Sequence, residues 1–228
     1  MGLLLRRKTQ LLLFVFMLTI SSQYSTLQAQ SIDSRLLRNI HESYQPKSTE
    51  ANFLEAFTNS AYGVVALPPV LLLAAGALKS NKSLRTDALQ LLSTQLVNYG
   101  ITYSLKFSIN RKRPYLSHSW VDTDIEEVDS SFPSAHSSGV TALATFLHLR
   151  YQKRWLTITG YGYAAATMYA RMRQGVHYPT DVVIGAGVGI FSGWITNRAF
   201  SNTSEHLVIR LIPATDQFPS KLSLNIRF

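Results

Sequence analysis

Apolar residues recur along this chain in long runs separated by short polar stretches. The runs cover residues 61–78, 88–105, 136–149, 155–170 and 182–197. Each is of helix length rather than strand length, so the pattern predicts an all-α bundle of about six helices. Residues 31–60 are polar and mixed, and read as short helix and loop. Pro68 and Pro69 fall inside the first run. They predict a kink there, because proline removes a backbone donor from the helical ladder. Ser130, Ser131 and Pro133 precede the third run and read as a cap followed by a first-turn proline. Pro179 reads the same way before the last run. Pro114 disfavours the α conformation at Arg113, so the second helix is expected to end there. Beyond residue 200 the pattern changes to alternation. His206–Ile212 and Leu222–Phe228, with Pro213 and Pro219 between, predict a short β-hairpin.

The first 29 residues have the form of an export signal. Arg6, Arg7 and Lys8 precede the apolar Leu11–Ile20, and Ala29 suits a cleavage point. The expected organisation is a signal peptide or N-terminal anchor over 1–29, a main domain over 30–200 and an extension over 201–228. A spanning helix needs about 20 apolar residues, and several of the runs are shorter. Mean hydropathy is only +0.05. A soluble bundle is therefore the alternative to a membrane-spanning one. Charge placement favours spanning. The connectors 79–85 and 150–154 are both basic. If the chain crosses at every run, both lie on the cytoplasmic side, as the positive-inside rule requires. Gly185, Gly187 and Gly189 follow no strand, so they read as small residues for close helix packing rather than as a dinucleotide loop.

Composition narrows the chemistry. The 228 residues contain no cysteine, which excludes disulfides, a cysteine nucleophile and a thiolate metal site. The net charge is +9, yet no nucleic-acid motif accompanies it. An anionic substrate and membrane orientation account for it instead. Asp122–Asp129 concentrates acidic residues and reads as a solvated loop at a site mouth, able to discriminate between anionic substrates. His41, His118, His148 and His206 are expected to be structural.

Three clusters carry the chemistry. They are Lys106-x6-Arg113-Pro114, Pro133-Ser134-Ala135-His136 and Arg171-x5-His177-x3-Asp181. Under the same threading all three fall on the outer side. Arg113 and Arg171 offer planar forks that meet phosphate oxygens, and Lys106 adds a point charge that could share a helix face with Arg113. Ser134 adds a hydroxyl beside a helix start, which is itself an anion site. His177 and Asp181 are four apart, so the carboxylate can hold Nδ1–H and leave Nε2 as a nucleophile. His136 can then serve as general acid and later as base.

In these clusters the chain resembles the type 2 phosphatidic acid phosphatase (PAP2) superfamily, which includes bacterial lipid phosphatases, class A acid phosphatases and vanadium haloperoxidases. The resemblance implies that Lys106, Arg113 and Arg171 bind phosphate with help from Ser134 and Ala135. It implies that His177 forms a phosphohistidine, that Asp181 orients it and that His136 is the acid. No metal and no cofactor are expected. The expected activity is hydrolysis of a lipid phosphate monoester or pyrophosphate, in a bacterial inner membrane with the site facing the periplasm. The alternatives are a soluble periplasmic acid phosphatase, a haloperoxidase, and a membrane binding protein that has lost turnover. Two departures bear on the last. The family usually has glycine where this chain has Ala135, and serine where it has Ala170.

Overall fold

The computed structural model describes residues 31–203 and the segments 207–212 and 221–226. The expected signal segment over 1–29 and His206 lie outside these residues. A helix occupies 31–41 (α1). It is followed by α2 (Thr49–Leu78), α3 (Lys82–Ile109), the short α4 (Pro114–Ser117), α5 (Ala135–Tyr151), α6 (Arg154–Arg173) and α7 (Pro179–Thr203). Two strands, β1 (Leu207–Ile212) and β2 (Lys221–Ile226), pair antiparallel with Leu207 opposite Ile226. The fold is all-α with that one hairpin among the described residues.

Local signals set the helix ends, in places differently from the sequence expectation. Ser48 caps α2 by accepting from the Ala51 amide at 3.1 Å. Residues 49–60, expected within a stretch of short helix and loop, are therefore the first turns of one 30-residue helix. That helix runs through Pro68 and Pro69 without ending. Helix α3 stops at Ile109, where Asn110 adopts a left-handed conformation, as asparagine tolerates. Arg113 is thus not the end of α3 but the residue before α4, so Lys106 and Arg113 do not share a helix face. Helix α5 is capped by Ser134, so Ser130, Ser131 and Pro133 all lie outside it. Pro179 opens α7 as expected.

Helices α3, α5 and α7 meet across polar side chains. Thr94 and Thr196 share a 2.7 Å hydrogen bond. Asn98 and Thr102 both donate to the Ser138 hydroxyl, at 3.2 and 3.0 Å. Gln95 donates to the Gly139 carbonyl at 3.2 Å. The outer surface is apolar, with Leu96, Phe107, Val183, Ile190 and Trp194 exposed. Polar side chains thus share the interior with apolar clusters such as Leu91, Leu143 and Phe146, while many apolar residues face outward. By length and composition α2 alone among the described helices is apolar enough to cross a membrane.

Close approach of α5 and α7 depends on missing side chains. A Cβ at Gly185 would lie 2.6 Å from the Ser134 carbonyl, and one at Gly189 2.5 Å from that of Ser138. The expectation of small-residue packing holds at both, whereas a Cβ at Gly187 would meet nothing within 4 Å. Because Ser134 and Asp181 head these two helices, the glycines also set the width of the end where the three clusters lie.

Candidate active site

Four helix ends converge on one spot: the C-terminal turns of α3 and α6 and the N-terminal turns of α5 and α7. They bring Lys106, Arg171, Ser134 to His136, and Asp181 together, and the segments between supply Arg113 and His177. The junction is fastened by the Ser134 amide, which donates to the Asp181 carbonyl at 3.0 Å. Gly175 closes α6 with φ +72° and turns the chain back, which places His177. A Cβ there would come within 2.5 Å of Val121.

Lys106, Arg113, Arg171, His177 and Asp181 are all buried. Buried charges require partners, and the partners come from the acidic segment. Glu127 bridges Arg113 (3.2 Å) and Arg171. Asp129 bridges Lys106 (3.2 Å) and Arg113. Within the segment expected as a solvated rim, Asp122, Asp124 and Glu126 are exposed, but Glu127 and Asp129 lie on the cations. Burial opposes ionisation of Glu127, but Arg171 and Arg113 outweigh it and hold its carboxyl below the usual range. Asp129 is held low in the same way by Lys106 and Arg113.

His177 sits between the cations and Asp181. Its Nε2 lies 3.3 Å from Nη1 of Arg113, which also donates to the Val176 carbonyl at 2.9 Å. Its Nδ1 is 3.6 Å from Oδ2 of Asp181, within ion-pair range but beyond a hydrogen bond. The closer partner of that carboxylate is Ser131, whose hydroxyl donates to Oδ2 at 2.5 Å and lies 3.5 Å from Nδ1. The Tyr178 amide donates to Oδ2 at 2.9 Å, and Arg111 donates to Oδ1 at 2.7 Å. Asp181 is therefore a hub. Burial, with Arg113 and Arg171 nearby, holds the His177 imidazole well below its ordinary pKa. It is neutral at neutral pH, as a nitrogen nucleophile must be.

Sequence reasoning placed the eight site residues near one another, and the structure brings them together. It missed Ser131 as more than a cap, Arg111 and Asp33 as supports, and Glu127 and Asp129 as direct partners. Asp33 of α1 accepts from Arg111 at 2.7 Å and from the Thr180 amide at 3.0 Å, tying α1 to the start of α7. The Ala135 departure is harmless to the backbone: the residue is helical and its φ is negative. His136 packs edge-on to Tyr62, ring centroids 4.9 Å apart, and its Nε2 has no hydrogen-bond partner among the described residues. His41 is structural, with Nδ1 2.8 Å from the Arg173 carbonyl. His118 and His148 bond Ser34 and Thr157.

A cavity of about 540 Å³ opens onto His136, His177, Lys106 and Arg113. It continues between α2 and α3 along Val65, Pro69, Leu92 and Tyr99. One end is charged and the other apolar.

A family model described as the PAP2 superfamily matches residues 87–205. The chain is 44% identical to a lipid A 4'-phosphatase of Bacteroides thetaiotaomicron over 64 residues, 28% of each protein. It is 34% identical to a lipid A 1-phosphatase of Porphyromonas gingivalis over 126 residues, 52% of this chain and 25% of that one. The match thus spans about a quarter of the length of these relatives. The crystal structure of LpxE from Aquifex aeolicus superposes with a TM-score of 0.62 at 25% identity, covering 72% of this chain and 93% of that one.

Proposed function

Because the chain belongs to the PAP2 superfamily, we propose that it is a membrane-embedded phosphatase that removes phosphate from a lipid through a phosphohistidine. The observation that carries this reading is the cavity, which joins a cluster of buried cations and two histidines to an apolar groove. A phosphate head fits the first part and an acyl or prenyl chain the second. The exposed apolar residues of α3 and α7 fit a lipid surround. The named relatives act on lipid A, so a phosphorylated saccharolipid is the favoured substrate.

Chemistry follows from the groups at the charged end. Lys106, Arg113 and Arg171 hold the phosphate oxygens, with the Ser134 hydroxyl and the Ala135 amide at the helix start of α5. Nε2 of His177 attacks phosphorus, and the bond to the lipid oxygen breaks. His136, which has to take up a proton as the negatively charged phosphate enters the site, gives that proton to the departing oxygen. A water then attacks phosphorus, losing a proton to His136, and the P–N bond to His177 breaks. Phosphate leaves and His177 is restored. Asp181, backed by Ser131 and Arg111, offsets the positive charge that develops on the imidazole. The cations supply the stabilisation that a metal gives in other phosphatases, so the reaction needs none.

Orientation rests on the basic connectors 79–85 and 150–154, which lie at the ends of α2, α3, α5 and α6 away from the site. The positive-inside rule supports a site on the periplasmic face of an inner membrane.

The test is phosphate release by the purified chain in detergent with EDTA present. The substrates are lipid A phosphates, phosphatidic acid, an isoprenyl diphosphate and a soluble chromogenic ester. Release from lipids that falls by ~10³-fold or more in His177→Ala is expected. Turnover of the soluble ester alone would make this a broad acid phosphatase, and inactivation by EDTA would contradict the mechanism.

A further inference from the structure

Arg111 and Arg113 are two positions apart and serve opposite sides of one histidine. Arg113 Nη1 lies 3.3 Å from His177 Nε2, the nitrogen that faces the phosphate. Arg111 lies behind the ring, where its Nη1 donates to Asp181 Oδ1 at 2.7 Å. Asp181 is buried, and its carboxylate is the charge that balances the imidazolium formed when Nε2 is phosphorylated. A guanidinium paired with Asp181 alone would cancel that charge. Arg111 is instead shared. Its Nη2 donates to Asp33 Oδ2 at 2.7 Å, and the Asp33 side chain is only 3% accessible. The rest of the guanidinium is held as well. Nη1 donates to Thr180 Oγ1 at 2.8 Å, and Cζ stands 3.8 Å from the centre of the Tyr178 ring. Asp33 in turn accepts from the Thr180 amide at 3.0 Å and from the Thr180 hydroxyl.

Two carboxylates and one guanidinium leave this buried chain of groups with one net negative charge. The phosphoimidazolium ring brings one positive charge, so this side of the ring is balanced when His177 is phosphorylated. Without the Asp33 charge the balance is one positive charge in a buried place, which is costly. Geometry acts in the same direction. With Asp33 present, the guanidinium fork spreads over two carboxylates, one nitrogen to each. Without it both nitrogens can close on Asp181. That carboxylate already stands 3.6 Å from His177 Nδ1 and would be drawn further away. Tethering α1 to α7 does not require the charge, because a neutral oxygen also accepts from the Thr180 amide and hydroxyl. We propose that Asp33 is a positioning residue for the reaction: it holds the far half of the Arg111 fork and so leaves Asp181 a net charge to set against His177. The proposal rests on the reading of His177 as the residue that is phosphorylated. It gives a part in turnover to α1, which lies outside the residues 87–205 matched by the family model.

The experiment uses the full chain in detergent, as wild type, Asp33→Asn and Asp33→Asn/Arg111→Gln. kcat and KM are measured on a phosphate ester that the wild type turns over. Isotopic oxygen exchange between water and inorganic phosphate reports formation of the phosphoenzyme whatever the leaving group. Asp33→Asn keeps the shape and an acceptor oxygen. Its kcat and its exchange rate are each expected to fall about tenfold, with KM within about twofold. In the double variant Asp181 is no longer neutralised, so kcat should recover to within about threefold of wild type. A purely structural tie predicts the opposite order, because losing both partners loosens α1 and α7 further. Thermal midpoints show which variants fold, and Asp33→Ser, a smaller neutral acceptor, takes the place of Asp33→Asn if that variant does not. Unchanged kcat in the folded single variant, or a double variant no faster than the single one, would overturn the proposal while leaving the role of His177 intact. A wild type that neither hydrolyses a phosphate ester nor exchanges oxygen would overturn the phosphohistidine reading and the proposal together.

Discussion

Basic residues occupy both ends of this bundle, but under opposite conditions. At the catalytic end Lys106, Arg113 and Arg171 are buried and fastened to carboxylates. At the other end Lys79, Lys82, Arg85, Lys153 and Arg154 are exposed. There Arg85 donates to the Gly76 carbonyl at 2.9 Å, helping to close α2, and Arg150 pairs with the buried Asp87 at 2.5 Å. Burial raises the strength of every charge interaction and the cost of leaving one unmade. Under the proposed function the same residue types therefore do chemistry at one end and set orientation at the other. Charge count alone does not separate the two roles; desolvation does.

Substitutions at the two ends should differ by orders of magnitude. Arg113→Ala strips a donor from the phosphate and a partner from Glu127 and Asp129. Its kcat/KM should fall by about 10²–10³-fold. It should also move the pH profile. Burial first, and the cations after it, lower the His177 pKa, so the acid limb of kcat/KM in wild type should lie below the ordinary imidazole value. Removing one cation raises that pKa, and the limb should shift to higher pH. A limb that stays in place would break the link between the buried charges and His177. Asp181→Asn keeps the shape but loses the charge that balances the phosphoimidazolium. A fall of about 10²-fold in kcat with KM little changed is expected. Ser131→Ala removes only the hydroxyl between Asp181 and His177 and should cost about tenfold or less. At the far end, Lys79→Gln with Lys82→Gln should leave kcat/KM in detergent within about twofold, since exposed charges contribute little. Reporter-tag accessibility in cells should show mixed orientation for that pair. A large loss of activity in detergent would contradict the division between the ends.

Much of the site was legible because phosphate chemistry is narrow in what it accepts. Two arginines, a lysine, two histidines and a carboxylate in three short clusters have few other uses in one chain. The helices were legible from their apolar runs, although their boundaries followed caps that pattern alone does not show. Asn110 ended α3 before Arg113, and Ser48 started α2 well ahead of its apolar run. The supports were not legible. Asp33 reaches Arg111 across 78 positions and Ser131 reaches Asp181 across 50. A single serine or aspartate at such separation carries no local signature. Glu127 and Asp129 were visible as charge, but their direction was not, because the segment lacks regular structure and either side chain could face water. The polar interior was masked by the same averaging that lowered the mean hydropathy. Gln95, Asn98 and Thr102 read as breaks in an apolar run, whereas they line its inner face.

The central claim is that His177 itself becomes phosphorylated. Acid-labile, alkali-stable phosphate trapped on the enzyme by rapid denaturation during turnover of a radiolabelled lipid phosphate tests this most directly. The account predicts label on the peptide containing His177, none in His177→Ala, and more in His136→Ala with a substrate whose leaving group needs no acid, because the water step is then slowed. Turnover with no label on the protein, or label that persists in His177→Ala, would contradict it.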